Sequence, residues 1–221
     1  MTIEKGLLIL ESILLVATII LLLYNIREGK NRKGLLLEIG RTTKILTRQE
    51  YFLMVIDSMM DANAEIIGSI TGRFPAGDDQ KIVRNVIENI ERLIKRGVRI
   101  TYLIPKFPDR LRVGYLYAKA GAEVRYSSCL MVHTIRFIIV DERLVVLGIP
   151  ETIGEKEATR KGYRIPSEGL AMILKGHFNA CGKQISFTEY LREVISQSGA
   201  TPKILAHELQ IDEEELKRLA G

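Results

Sequence analysis

The sequence predicts a mixed α/β domain with a partly parallel sheet, preceded by one transmembrane helix and followed by a small helical tail. Three observations carry this. Residues 6–26 read GLLILESILLVATIILLLYNI, and about 21 residues at a rise of ~1.5 Å span ~30 Å, the thickness of a bilayer's hydrocarbon core. From Thr47 onward, short β-prone runs alternate with helical periodicities, the pattern of a sheet covered on both faces. Beyond Gly182 only helical patterns remain.

The elements follow in order. The apolar span has an acidic and basic flank in Glu4 and Lys5, no small-residue cleavage site, and a single internal charge at Glu11 near its end, so it reads as a signal anchor, residues 1–26. Residues 27–48 carry seven basic residues against Glu28 and Glu38. The positive-inside rule then predicts a single-pass protein of the cell membrane with its body in the cytoplasm. Residues 27–46 form the basic juxtamembrane segment.

Thr47-Arg48-Gln49-Glu50 has the spacing of a capping box, and an apolar period runs from it to about Ala62. A strand at Ala64–Ile70 is broken by Thr71-Gly72-Arg73-Phe74-Pro75. Asp78 and Asp79 can cap a helix over Gln80–Lys95, with Ile82, Val86, Ile90 and Leu93 on one face. Gly97 closes it, a strand spans Val98–Ile104, a helix spans Asp109–Ala120, and short strands follow at Glu123–Tyr126, Thr134–Val140 and Leu144–Leu147. Residues 153–167 read as a loop with a short strand, and Ser167 can cap a helix through Phe178. This places the α/β domain at 47–182.

The run IERLIKRGVRITYLIP, then YLYAKAGAEVRY, then HTIRFIIVDERLVVLG resembles one half of the phospholipase D superfamily, over about Thr47 to Cys181. The resemblance implies a mixed sheet flanked by helices and a phosphodiester chemistry run by a His-x-Lys, four-residue, Asp motif. It implies a cleft completed by homodimerisation, and catalytic positions near His133, Arg136 and Asp141. Arg136 stands where the family has Lys, and Asp141 is in place. Thr134 occupies the nucleophile's position while His133 is displaced by one. Gly148 matches the motif glycine, but Ile149, Pro150 and Glu151 replace the Ser and Asn region, and a carboxylate there repels a phosphoryl group. On a strand, Thr134 and Arg136 would share the cleft face and His133 would point away, unless a β-bulge returned it. Thr134, Arg136, Arg73 and Gly148 are the candidate ligand-binding positions; Arg160, Lys161 and Arg164 are candidates for the rim.

The motif therefore points to a fold that has lost the chemistry and serves as a binding or assembly module for a phosphate-bearing or protein partner. A membrane-tethered nuclease or phospholipase and a membrane-bound DNA-binding regulator are the alternatives. The last rests on the tail, 186–221, where TPKILAHELQIDEEELKRLAG resembles a helix-turn-helix. Gln210 stands at its turn, and Asp212, Glu213, Glu214 and Glu215 open the would-be recognition helix. Residues 182–221 hold seven acidic against five basic residues, which disfavours phosphate contact, so nucleic acid is not the favoured partner. Nothing calls for a cofactor, and singly scattered His133, His177 and His207 leave a metal little to build on. Cys129 and Cys181, far apart and without motif spacing, read as unbridged thiols in a reducing compartment.

Overall fold

Thr47 and Glu50 make the capping box that their spacing predicts. The Thr47 N–H donates to Glu50 Oε2 at 2.8 Å and the Glu50 N–H to Thr47 Oγ1 at 3.4 Å, which starts α1 (Arg48–Met60). The computed structural model describes residues 13–22, 24, 44–74, 80–150, 159–198 and 202–221. Residues 13–22 are helical, and their large apolar side chains are exposed. No helix among the described residues is long and apolar enough to cross a membrane; the rest of the expected 6–26 span, the basic segment to residue 43 and the caps Asp78 and Asp79 lie outside them.

The strands are β1 (Lys44–Leu46), β2 (Glu65–Ser69), β3 (Arg99–Pro105), β4 (Glu123–Ser127), β5 (Arg136–Val140), β6 (Leu144–Pro150), β7 (Thr159–Pro166) and β8 (Ile185–Ser186). They form one sheet in the order β1-β7-β6-β5-β2-β3-β4-β8. β2, β3 and β4 run parallel; every other pairing is antiparallel. The sheet is mixed, as expected. Two expectations are corrected. Lys44–Leu46, read as juxtamembrane, is an edge strand, and the short strand expected with a loop over 153–167 is the eight-residue β7, which pairs along the whole of β6.

The remaining helices are α2 (Gln80–Lys95), α3 (Leu111–Lys119), α4 (Leu130–Thr134), α5 (Glu168–Ala180), α6 (Phe187–Ser198), α7 (Pro202–Leu209) and α8 (Glu213–Ala220). Alternation along the strands sends Ile66, Ile100, Tyr102, Ile104, Val124, Tyr126, Ile138 and Val146 to one face. There they join Met59, Ile90 and Leu93 of the helices in the main core. On the other face Ile67, Phe137, Ile139 and Val145 are buried, and α5 packs on β6 with Ala171, Leu174 and Phe178 turned inward.

The helical tail shares the main core. Leu191, Leu205, Leu209 and Leu216 are each at most 2% exposed and belong to it. Tyr190 stacks on the fully buried Tyr126 at 4.3 Å, and the Tyr115 hydroxyl donates to Glu215 at 2.6 Å. Residues 43–221 form one compact unit. Gln210 turns the chain between α7 and α8 with φ of +58°, a left-handed conformation that glycine adopts more cheaply.

The cysteines differ from expectation. Cys129 and Cys181 are joined by a disulfide with Cα atoms 5.8 Å apart, within the ordinary range for such a bridge. Their separation of 52 residues carries no motif; the pairing arises because the end of β4 and the end of α5 meet.

Candidate functional site

β2 has a parallel neighbour on one side, β3, and an antiparallel one on the other, β5. The carboxyl ends of β2, β3 and β4 therefore meet the start of β5, the kind of sheet end where α/β folds hold ligands. The loops at this end carry Arg73 after β2, Phe107 and Arg110 after β3, and Cys129 to Ile135 after β4.

The expected strand over Thr134–Val140 starts two residues later, at Arg136. Residues 130–134 form the short helix α4, closed by the Ile135 N–H donating to the Met131 carbonyl at 3.0 Å. The run Met131-Val132-His133-Thr134-Ile135 has β-prone composition, but Val132 is buried at 4% exposure, and this anchor together with the helical turn overrides propensity. Strand alternation accordingly does not govern His133 and Thr134, and no bulge is involved. Thr134 turns its hydroxyl back onto its own helix, donating to the Leu130 carbonyl at 3.0 Å and the Met131 carbonyl at 3.4 Å. His133 is half-buried, with its ring edge-on to Phe107 at 5.3 Å. The buried Ser69 hydroxyl donates to the Ile135 carbonyl at 3.2 Å and ties α4 to β2.

Arg136 opens β5 opposite Gly148 of β6, which in turn faces Gly162 of β7. The Tyr51 ring lies over this pair of glycines; a Cβ on Gly148 would stand 2.8 Å from Tyr51 Cζ, and one on Gly162 2.6 Å from Tyr51 Cδ2. A glycine at 148 is thus required by the close approach of the Tyr51 ring. Burial pushes the Tyr51 hydroxyl up to about 12, with the positive field of Arg136 pulling the other way, so the guanidinium sits beside a neutral phenol. Arg73 is exposed on its loop.

Sequence reasoning missed Arg110. It is 3% exposed, its guanidinium lies 5.6 Å from the Phe107 ring, and it pairs with Asp109 at 3.4 Å. An arginine opening a helix gives no sign of burial in sequence. Phe107 therefore lies near both a guanidinium and the His133 imidazole.

Asp141 is not brought to this end. It follows β5 at the opposite end of the strands, where its carboxylate accepts the N–H groups of Asn63 at 2.9 Å, Ala64 at 2.9 Å and Glu65 at 3.0 Å, and pairs with Arg143 at 3.2 Å. Burial raises its pKa, but these donors outweigh that and hold it below the usual carboxylate value. Asp141 and Glu142 both have positive φ, +48° and +55°, and the Arg143 N–H returns to the Val140 carbonyl at 3.0 Å. Glu142 and Glu65 both bind Lys175 of α5. Of the rim candidates, Lys161 is exposed next to Ile149, while Arg164 faces Val146 in mid-sheet; the side chain of Arg160 and all of Glu151 lie outside the described residues. Among the described residues no group of three or more His, Cys, Asp and Glu is placed to hold a metal.

No protein-family model and no curated protein matches this chain. Among solved structures it is similar to an archaeal chromatin protein with a novel mode of DNA binding (16% identity, TM-score 0.46, 71% of this chain and 62% of that one). It is likewise similar to the phospholipase D family member Nuc from Salmonella typhimurium (17% identity, TM-score 0.48, 66% and 95%) and to NucT from Helicobacter pylori (12% identity, TM-score 0.49, 63% and 94%). The chain thus spans less than two thirds of the archaeal protein's length. A phospholipase D family member thus stands among the solved structures to which the chain is similar.

Proposed function

We propose that this chain is a membrane-anchored phospholipase D-like domain that binds a phosphate-bearing partner without cleaving it. The observation that carries this reading is the state of the nucleophile's position. Thr134 occupies it, and its hydroxyl is spent on helix carbonyls; a hydroxyl attacks phosphorus only with a base in hydrogen-bond reach. The imidazole nearest the site is packed against Phe107. The guanidinium of Arg136 has the chemistry to engage phosphate oxygens in bidentate fashion.

The anchor is residues 6–26, supported by their length and apolarity and by the exposed side chains of residues 13–22. The basic run to residue 48 supports placing the body in the cytoplasm, and the family resemblance supports a homodimer. With the thiols bridged, their absence of motif spacing no longer adds to the cytoplasmic assignment, which rests on charge.

The full chain in lipid nanodiscs tests the reading. Bis(p-nitrophenyl) phosphate and single-stranded DNA are expected to remain uncleaved, while inorganic phosphate binds saturably and Arg136→Gln abolishes that binding without loss of fold. Turnover that disappears in His133→Ala overturns the proposal in favour of a phosphodiesterase.

A further inference from the structure

We propose that Cys129 and Cys181 form a reversible redox site that controls the order of α4, the segment carrying His133 and Thr134. The proposal is independent of what the domain binds. Cys129 is the residue at which α4 begins, and Cys181 is the residue at which α5 ends. Their bond therefore ties the candidate site to a long, well-packed helix on the sheet. Among the described residues, α4 is otherwise held by the buried Val132, by its packing on β3, by the contact of His133 with Phe107 and by the Ser69 bond to Ile135, while Leu130 is 77% exposed. Segments with little buried apolar surface open locally at low cost once a restraint is removed.

The bond is placed for exchange. Cys129 is half-buried while Cys181 is 5% exposed, so an incoming thiolate reaches the Cys129 sulfur and Cys181 is the leaving group. Ser127, at the end of β4, serves both. Its Oγ accepts the Cys129 N–H at 3.2 Å and lies 3.9 Å from Cys181 Sγ, where its hydroxyl can donate to the departing thiolate. The co-reactant is a dithiol. One of its thiolates forms a mixed disulfide with Cys129 and expels the Cys181 thiolate, which takes a proton. The second thiol of the reductant then displaces Cys129, leaving two cysteine thiols and an oxidised, cyclic or bridged disulfide of the reductant. Two electrons and two protons pass to the protein. In a reducing compartment a disulfide is characteristically of this transient kind.

The test uses the full chain in detergent micelles, oxidised with glutathione disulfide and then reduced with dithiothreitol. Before reduction neither cysteine should accept iodoacetamide; afterwards both should. Amide hydrogen exchange in residues 129–135 should quicken about tenfold or more on reduction while β2 and β3 stay protected, and reoxidation should reverse it. The Cys129→Ser/Cys181→Ser variant should exchange like the reduced protein and ignore dithiothreitol, and Ser127→Ala should slow reduction. Three results each overturn the proposal: alkylation of the oxidised protein, exchange in 129–135 indifferent to reduction, or loss of protection in β2 and β3 together with α4, which makes the bond a structural staple.

Discussion

Replacing Asp141 by Asn probes whether this motif residue belongs to the site or to the scaffold. The carboxylate is 8% exposed and receives three backbone N–H groups. An Asn carbonyl oxygen can keep the bonds from Ala64 and Glu65 without their charge assistance, but its amide then faces the Asn63 N–H, donor against donor. Hydrogen bonds to a charged group are worth about 1.5–3 kcal/mol each and do not add fully, so a loss of about 2–4 kcal/mol is expected. Asn tolerates positive φ at least as well as Asp, so the backbone at +48° is not the cause. For a unit of this size the melting temperature should fall by roughly 5–15 °C. Because the folded pKa lies below the unfolded one, the stabilisation is complete above the unfolded value and fades as pH falls through the folded one. Urea unfolding curves of parent and variant should therefore begin to approach each other below about pH 4 and converge only below the folded value. Phosphate binding should persist, since Arg136 begins the five-residue strand that Asp141 follows, about 16 Å away at ~3.3 Å per residue. A penalty under about 1 kcal/mol, a penalty independent of pH, or loss of phosphate binding in a folded variant refutes the structural role.

Gly148→Ala should cost about 1–3 kcal/mol by overpacking, since the new Cβ meets the Tyr51 ring; Tyr51→Ala in the same chain should relieve that clash, and a double-mutant cycle by urea unfolding reads the coupling. Deleting residues 202–221 removes Leu205, Leu209 and Leu216 from the core, at about 2 kcal/mol each. The shortened chain should therefore aggregate or melt early in a thermal shift assay, whereas a detachable tail would leave the melting temperature unchanged.

Much of the scaffold is written locally. The capping box, the amphipathic α2 and the β3 and β4 runs each carry their own signal, and the structure places them within a residue or two. The site was less legible because its parts depend on tertiary contacts. Thr134 and Ile135 are β-branched and read as strand, yet Val132 buries and the chain turns helical. Asp141 sits at motif spacing from Arg136, but a strand's length separates the two, and its three partners lie 76–78 residues away in sequence. The disulfide and the buried Arg110 left no local trace, and the apolar positions of the tail could not reveal that they complete the same core as Tyr126.

The sheet's two outermost strands are three and two residues long, β1 and β8. Each offers an incoming chain only a few free N–H and C=O groups, too few to template further pairing. Among the described residues, growth by adding strands from another copy is therefore disfavoured at both sides, and copies are expected to meet through helices, loops or the strand ends at the Arg136 corner. Self-assembly of this protein is therefore expected to stop at small closed oligomers rather than run on into fibres.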